Sequence, residues 1–148
     1  MKARWRLAGL LLALLPLAEA VADSDTFVGV WQGEVVEIPL PGQDISRYVV
    51  TIDIVPGSVT VAYPGLGCGG ALHPLRRRGR LMGFCDALDY GLDRCEANGR
   101  TELYLLDAGL VDYRWFDARG RLRAAGRLLR DEKLQIVSAE QWETARRK

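Results

Sequence analysis

The sequence predicts an all-β fold, an antiparallel barrel of about eight strands. The first observation is alternation: from Arg47 to Val55, apolar side chains occupy every second position, the period of a strand with one buried face. The second is the regular placement of turn signals, such as Pro56-Gly57 and Asn98-Gly99, at intervals of roughly 8 to 12 residues. A two-sheet sandwich produces the same pattern and is the alternative architecture.

Each predicted strand has its own sequence signature. The first, 27–38, contains Gly29 and Gly33, which allow the tight coiling of a barrel strand. The second, 47–55, and the third, 57–63, each have apolar side chains along one face and are joined by a turn. Further turn signals separate the remaining predicted strands, which cover 71–75, 81–90, 101–106, 110–116 and 122–129.

The alternation breaks in the segment from Tyr63 to Pro74, YPGLGCGGALHP. Proline cannot donate to a ladder, so Pro64 ends the third strand, and closely spaced glycines around Cys68 follow. We expect a bulged corner that carries the cysteine into position; a ligand-facing loop or an anion nest is the alternative. No Lys-Ser/Thr pair follows, so a phosphate loop is not expected. The candidate binding residues in this segment are Tyr63, Leu66, Gly69, Gly70 and His73.

Residues 1–22 have the three parts of a secretory signal peptide. Three basic residues precede the apolar run 7–17, and Ala20-Val21-Ala22 is a small-x-small cleavage site, with cleavage after Ala20 as the alternative. The run is short for a bilayer span, so no stable membrane anchor is expected after cleavage, and 1–22 holds no cysteine for a lipoprotein site. We therefore expect a periplasmic or secreted protein with one β-barrel domain over 23–130.

The charge balance and the tail add two further expectations. Without 1–22 the chain has 17 basic and 18 acidic residues, so no bulk attraction to nucleic acid or anionic lipid is expected. The basic run 76–80 predicts a solvated hairpin tip, with an anionic-partner patch as the alternative. In the tail, 131–148, Ser138 and Gln141 fit a capping box, which predicts a short helix over 139–148.

Three cysteines, Cys68, Cys85 and Cys95, allow three pairings, and in an exported chain we expect two of them to form a disulfide. The pairing Cys68–Cys95 is favoured because both residues lie beside turn signals. Cys85 lies within the apolar run 81–88, where a buried thiol is expected. The alternative, a reactive Cys85 nucleophile, would need the only histidine, His73, as its base.

No catalytic or metal-binding pattern stands out. The histidine and cysteines lack metal-ligand spacing, so no metal or other cofactor is expected, and no serine lies in a G-x-S-x-G setting. An acidic cluster could serve glycoside chemistry, although a solvated loop explains it more simply: Asp86, Asp89, Asp93 and Glu96. Aromatic residues at strand spacing either line a ligand cavity or fill the core: Tyr104, Tyr113, Trp115 and Phe116.

Five short motifs are spread along the chain: Trp31-x-Gly33, Tyr63-Pro64-x-Leu66-x-Cys68-Gly69-Gly70-x-Leu72, Asp93-Arg94-Cys95, Leu110-x-x-Tyr113-x-Trp115 and Gly126-x-Leu128. Together they resemble a group of small exported bacterial β-domains, found alone or attached to lipoproteins and receptor-like kinases. The resemblance covers about Trp31 to Leu129 and implies the fold and the Cys68–Cys95 pairing. It implies a scaffold with no established activity, and Cys85 departs from the two-cysteine pattern of the group.

The pair Gly29-x-Trp31 on the first strand also resembles the calycins. In lipocalins such a tryptophan packs under an arginine of the last strand by cation–π contact at the base of the barrel. This resemblance favours a barrel over a sandwich and implies Arg127 or Arg130 as the cation. The structural residues expected from the two resemblances are Trp31, Gly33 and Arg127.

The sequence does not specify an activity. Its size and fold class favour a non-enzymatic exported binding module whose partner is another envelope or secreted protein, as for an inhibitor or immunity protein. The alternative is a carrier of a small apolar ligand, since an eight-stranded barrel is either filled by side chains or holds one small ligand. An enzyme acting on the envelope is the third hypothesis, and the oligomeric state is not indicated.

Overall fold

The predicted barrel is confirmed by a computed structural model, which describes residues 24–75 and 77–131. Eight antiparallel strands follow one another around a closed barrel, and β8 pairs with β1. One turn of 3-10 helix, Ser24–Phe27, precedes the first strand. The strands are β1 (Gly29–Glu37), β2 (Arg47–Val55), β3 (Ser58–Tyr63), β4 (Cys68–Pro74), β5 (Leu81–Tyr90), β6 (Arg100–Asp107), β7 (Leu110–Phe116) and β8 (Leu122–Arg130).

Strand β1 closes the barrel because it pairs on both sides. Trp31 lies opposite Ile52 of β2 and opposite Arg130 of β8. Among the described strands none therefore has a free edge that could pair with another chain. The inward side chains of all eight strands form one hydrophobic cluster, whose largest fully buried members include Trp31, Phe84, Leu103 and Tyr113.

The glycine-rich segment differs from its prediction. Strand β4 begins at Cys68, three residues before the predicted start, so Gly69 and Gly70 belong to a strand and are buried. The register shifts between these two glycines, and a Cβ on Gly70 would lie 2.6 Å from the backbone of Leu88. The glycines therefore let β4 and β5 approach closely at a bulge. Alternation could not reveal this strand, because glycine carries no side chain that marks a face.

The first strand also begins later than predicted. Phe27 lies in the 3-10 turn and is fully buried. Its carbonyl oxygen accepts a hydrogen bond from Trp31 Nε1 at 2.8 Å. Arg77, from the run predicted to be a solvated tip, stacks over the Phe27 ring at 5.2 Å from the centroid. The turn therefore covers the end of the barrel at which β1 starts, which we call the Trp31 end.

Arg130 is the arginine that packs on Trp31. Its guanidinium carbon lies 4.6 Å from the Trp31 ring, and its NH2 group donates to the carbonyl of Thr26. The side chain of Arg127 is exposed on the outer face instead. Arg127 contributes through its backbone, since a Cβ on Gly33 would collide with the Arg127 carbonyl oxygen. Gly33 is thus required for the close contact between β1 and β8.

Several sequence-based expectations lie outside the described residues. These are the signal peptide over 1–22 and the tail helix over 139–148. Within the described part of the chain, no helix has the length and apolar character needed to cross a membrane.

We expect Trp31→Ala to lower the free energy of unfolding by about 3–5 kcal/mol, the range for removing a buried large side chain. The substitution removes a fully buried indole together with its hydrogen bond to Phe27 and its contact with Arg130. Urea unfolding followed by circular dichroism measures the change. Leu129→Ala, at a side chain 64% exposed on the outer surface, is the control and should change stability by about 0.5 kcal/mol or less. Equal stability of the two variants would contradict the packing described for Trp31.

Candidate binding site

The end of the barrel opposite Trp31 is open, and we call it the loop end. In an up-and-down barrel, every second connection lies at the same end. The loop end therefore collects the connections 38–46, 64–67, 91–99 and 117–121. The Trp31 end carries the short turns 56–57 and 108–109 together with the 3-10 turn.

A pocket of about 160 Å³ opens at the loop end. Small-molecule sites usually have roughly 300–1,000 Å³, so this pocket is closer in size to a single side chain. Its walls come from several strand ends and loops, and the lining residues are Glu37, Tyr48, Tyr63, Leu66, Leu88, Arg94, Cys95, Glu96, Trp115 and Arg123.

Two tyrosines, Tyr48 and Tyr63, line the pocket, and a third lies behind them. The rings of Tyr48 and Tyr63 meet edge to face, with centroids 5.9 Å apart. Tyr113 is fully buried, and its hydroxyl lies 3.4 Å from that of Tyr63. Burial raises the pKa of Tyr48 to about 12, with smaller contributions from the charges of Glu37 and Asp86. Burial also raises the pKa of Tyr63 and Tyr113, so all three hydroxyls stay protonated near neutral pH.

Asp86 is a buried carboxylic acid next to these tyrosines. Its Oδ1 accepts a hydrogen bond from Thr101 Oγ1 at 2.9 Å, and its Oδ2 accepts one from Trp115 Nε1. Burial raises the pKa of Asp86, although both hydrogen bonds act in the opposite direction. The prediction that Asp86 belongs to a solvated acidic loop is therefore wrong. Its position on β5, two residues after the buried Phe84, was the signal that it faces inward.

Arg123 is a largely buried cation at the pocket. Opposite β7, the register passes from Ala124 to Leu122 between Trp115 and Phe116, so Arg123 is the extra residue of a bulge. Its side chain is only 12% exposed, and its NH2 group lies 3.7 Å from Glu37 Oε1. Within the described part of the chain, no acceptor reaches the buried Nε atom of Arg123.

The disulfide Cys68–Cys95 is confirmed, with Cα atoms 6.3 Å apart and a sequence separation of 27. It ties the loop 91–99 to the start of β4 and thereby holds Arg94 and Glu96 at the pocket. Loop-closure arguments put the stabilisation by such a crosslink at roughly 3–4 kcal/mol. Cys85 is a free thiol and is exposed on β5, so the expectation of a buried thiol is wrong. Successive side chains of a strand point to opposite faces, and Phe84 and Asp86 face inward, so Cys85 between them faces outward.

The structure brings together only some of the predicted binding residues. Tyr63, Leu66 and Trp115 line the pocket, and Tyr113 supports it from beneath. Gly69 and Gly70 are buried within β4 and do not line it. His73 is exposed near the far end of β4, where it lines a separate crevice at the Trp31 end. Sequence reasoning missed Arg123 and Glu37, because only the closed barrel brings β1 and β8 to the same mouth as the other strands.

Exposed apolar side chains gather at the loop end. Ten large hydrophobic side chains are exposed among the described residues, and six of them lie there. We call these six the apolar rim: Ile38, Leu40, Ile45, Tyr90, Leu92 and Leu122. Concentration of exposed apolar groups in one region is typical of an interaction surface.

No group of three potential metal ligands occurs among residues 24–75 and 77–131. Comparison with protein-family models, curated proteins and solved structures finds no match to this chain. The two resemblances stated from the sequence therefore stay predictions, and the candidate site rests on its own geometry.

We expect the stability difference between the wild type and Asp86→Asn to depend on pH with a defined sign. Because burial raises the pKa of Asp86 above its ordinary value of 3.8, the folded protein retains the proton to a higher pH than the unfolded chain does. Asp86 therefore stabilises the fold most below pH 3.8, and this contribution falls as the pH rises through the folded-state pKa.

Urea unfolding of both proteins at a series of pH values tests this expectation. The free energy of unfolding of the wild type minus that of Asp86→Asn should decline from acidic to neutral pH. Asp89→Asn, at an exposed position on the same strand, controls for the loss of a carboxylate. A difference that rises with pH would show that Asp86 is stabilised as an anion.

Proposed function

We propose that this chain is an exported, non-enzymatic binding module that captures another envelope or secreted protein with the loop end of its barrel. The observation that carries the proposal is the coincidence of the apolar rim with the pocket at the same end. A pocket the size of one side chain within an apolar surface is the arrangement that accepts an anchor residue of a partner protein.

The filled interior favours this function over transport of an apolar ligand. Buried side chains from all eight strands occupy the barrel, and the loop-end pocket has only about 160 Å³. This pocket would accommodate a group of a few atoms and not a drug-sized molecule. Tyr104, which the sequence offered as a possible lining residue, is 43% exposed on the outer face.

The titratable groups around the pocket support binding over catalysis. The Asp86 carboxyl accepts hydrogen bonds on both oxygens, and the raised pKa values of the tyrosines make them weak nucleophiles and bases at neutral pH. Glu37 accepts a hydrogen bond from Ser46 Oγ at 2.7 Å and also faces Arg123. Export is supported by the disulfide, which is typical of oxidising compartments, and by the signal peptide predicted over 1–22.

We expect the double variant Ile45→Asp, Leu92→Asp to lose partner capture. Both side chains belong to the apolar rim and are more than half exposed, at 66% and 56%, so charges there should oppose docking without entering the core. The immobilised protein is incubated with an envelope extract, and the captured protein is identified by mass spectrometry. Its yield should fall by about tenfold or more, as for interface hot spots.

The matched control is Leu129→Asp, which places the same charge on an apolar side chain of the outer barrel surface. Its capture of the same protein should equal that of the wild type. Equal capture by the double variant would contradict docking through the loop end. If the wild type captured no protein but bound lipid vesicles, and the double variant lost the vesicle binding, the rim would be a membrane contact instead.

We expect His73→Ala to change stability by less than about 1 kcal/mol and to leave partner capture intact. His73 is exposed on β4, opposite Cys85 in the ladder and away from the loop end. The same preparation is assayed for turnover of peptidoglycan, glycan, ester and peptide substrates. Turnover by the wild type that disappears in His73→Ala would overturn the non-enzymatic proposal and place an active site on the outer face of β4 and β5.

A further inference from the structure

We infer that the loop-end pocket binds a carboxylate on a short aliphatic stem, with the Arg123 guanidinium as its principal donor. The inference rests on the proposed function, because it names the chemical group by which the pocket recognises its partner. A polypeptide C-terminus and an acidic side chain both present this chemistry.

The first observation is a buried donor that lacks an acceptor. A guanidinium has five N–H donors, yet Arg123 is only 12% exposed and its ion-pair partner, Glu37 Oε1, lies 3.7 Å away. That distance exceeds the range of an ordinary hydrogen bond. The buried Nε atom finds no acceptor in the described part of the chain. Because Nε is shielded from solvent, a ligand would meet the guanidinium through the part of Arg123 that lines the pocket, and an acceptor there would offset part of the cost of the underpaired charge.

The second observation is that several oxygen acceptors at and beside the pocket already accept hydrogen bonds. Glu37 Oε2 accepts from Ser46 Oγ, and Glu37 Oε1 faces Arg123. Both oxygens of Asp86 accept hydrogen bonds from neighbouring side chains. Tyr48 keeps its hydroxyl proton, since burial raises its pKa to about 12, and can donate into the pocket. Arg123 and Tyr48 therefore have N–H and O–H donors available to a ligand, and the acceptors that remain, Glu37 Oε1 and Glu96, belong to side chains that are at least partly exposed.

The mouth of the pocket adds one charge of each sign. The disulfide-held loop places Arg94 and Glu96 there, and the Arg94 side chain is 64% exposed. Arg94 reinforces the attraction for an anion, whereas Glu96 opposes it. Because Glu96 is exposed and Arg123 is buried, solvent screens the repulsion more than the attraction. Removing the Glu96 charge should therefore strengthen carboxylate binding.

The walls supply the apolar half of the recognition. Leu66, Leu88 and Trp115 line the pocket beside Tyr63, and the volume of about 160 Å³ accommodates one aliphatic stem. An aliphatic group packed against these walls places its carboxylate toward Arg123. A guanidinium can hold both carboxylate oxygens through parallel N–H bonds, which fixes the orientation of the ligand.

Titration of the ¹⁵N-labelled protein with N-acetyl-leucine tests the inference. The probe should shift the Nε–H signal of Arg123 and the indole N–H signal of Trp115 in a saturable manner. N-acetyl-leucinamide, which has the same shape without the charge, should bind at least about tenfold more weakly. An acidic side-chain mimic, N-acetylglutamic acid α-amide, compares the two sources of the carboxylate.

Three variants complete the test. Arg123→Met keeps much of the stem and should weaken N-acetyl-leucine at least about tenfold, followed at the Trp115 signal. Arg114→Met removes the same charge from the outer surface, where Arg114 pairs with Asp112, and should leave the affinity unchanged. Glu96→Gln should strengthen binding, and this variant keeps the inference testable even where Arg123→Met fails to fold.

Several results would overturn the inference. These are equal binding of the acid and the amide, affinity unaffected by Arg123→Met in a folded protein, and affinity that Glu96→Gln does not improve. Preferential binding of leucinamide, which carries an ammonium group, would assign the pocket to cations. If any of these occurs while partner capture still depends on the apolar rim, the carboxylate inference fails and the proposed function stands.

Discussion

The pairing of β1 with two neighbours is the constraint on which the rest of the structure depends. Because β1 joins β2 on one side and β8 on the other, the sheet closes and every residue has a fixed inward or outward direction. The close approach at the seam between β1 and β8 requires Gly33, whose position leaves no room for a side chain against the Arg127 carbonyl. A slip of one residue at this seam would exchange the buried and exposed faces of β1.

Closure also separates the molecule into two unlike ends. At the Trp31 end, Arg77 stacks on Phe27 and Arg130 stacks on Trp31, and the two-residue turns 56–57 and 108–109 join strands there. At the loop end, the longer connections 38–46 and 91–99 leave a polar pocket with an apolar rim. The packed aromatic and arginine side chains at the Trp31 end stabilise the barrel, whereas loops on a rigid scaffold tolerate more variation in sequence and length.

Several polar side chains are buried or largely buried inside the barrel at the loop end. Asp86 and Tyr113 are buried, and each lies within hydrogen-bonding reach of neighbouring side chains, which offsets part of the desolvation cost. Arg123 is different, because its Nε finds no acceptor among the described residues. An apolar residue at this bulge would avoid the desolvation cost of an unpaired donor. Because the chain has an arginine here, we place Arg123 at the centre of the proposed recognition.

The sequence by itself determined the strand pattern, the turns and most of the buried face. Alternation in 47–55 and 57–63 specified two strands to within a residue, because period-two burial is a local property of an extended chain. Alternation gave no signal at Gly69 and Gly70, because glycine has no side chain. At Cys85 and Asp86 it indicates the observed directions, whereas the two predictions followed the apolar run and the acidic cluster. The pairing Cys68–Cys95, favoured from turn signals, agrees with the structure.

Only the tertiary structure decided that Arg130 packs on Trp31 and that Glu37, Tyr48, Trp115 and Arg123 meet at one mouth. Glu37 and Tyr48 come from the first two strands, and Trp115 and Arg123 from the last two. Their proximity follows from the closure and stagger of the barrel, which no local pattern encodes.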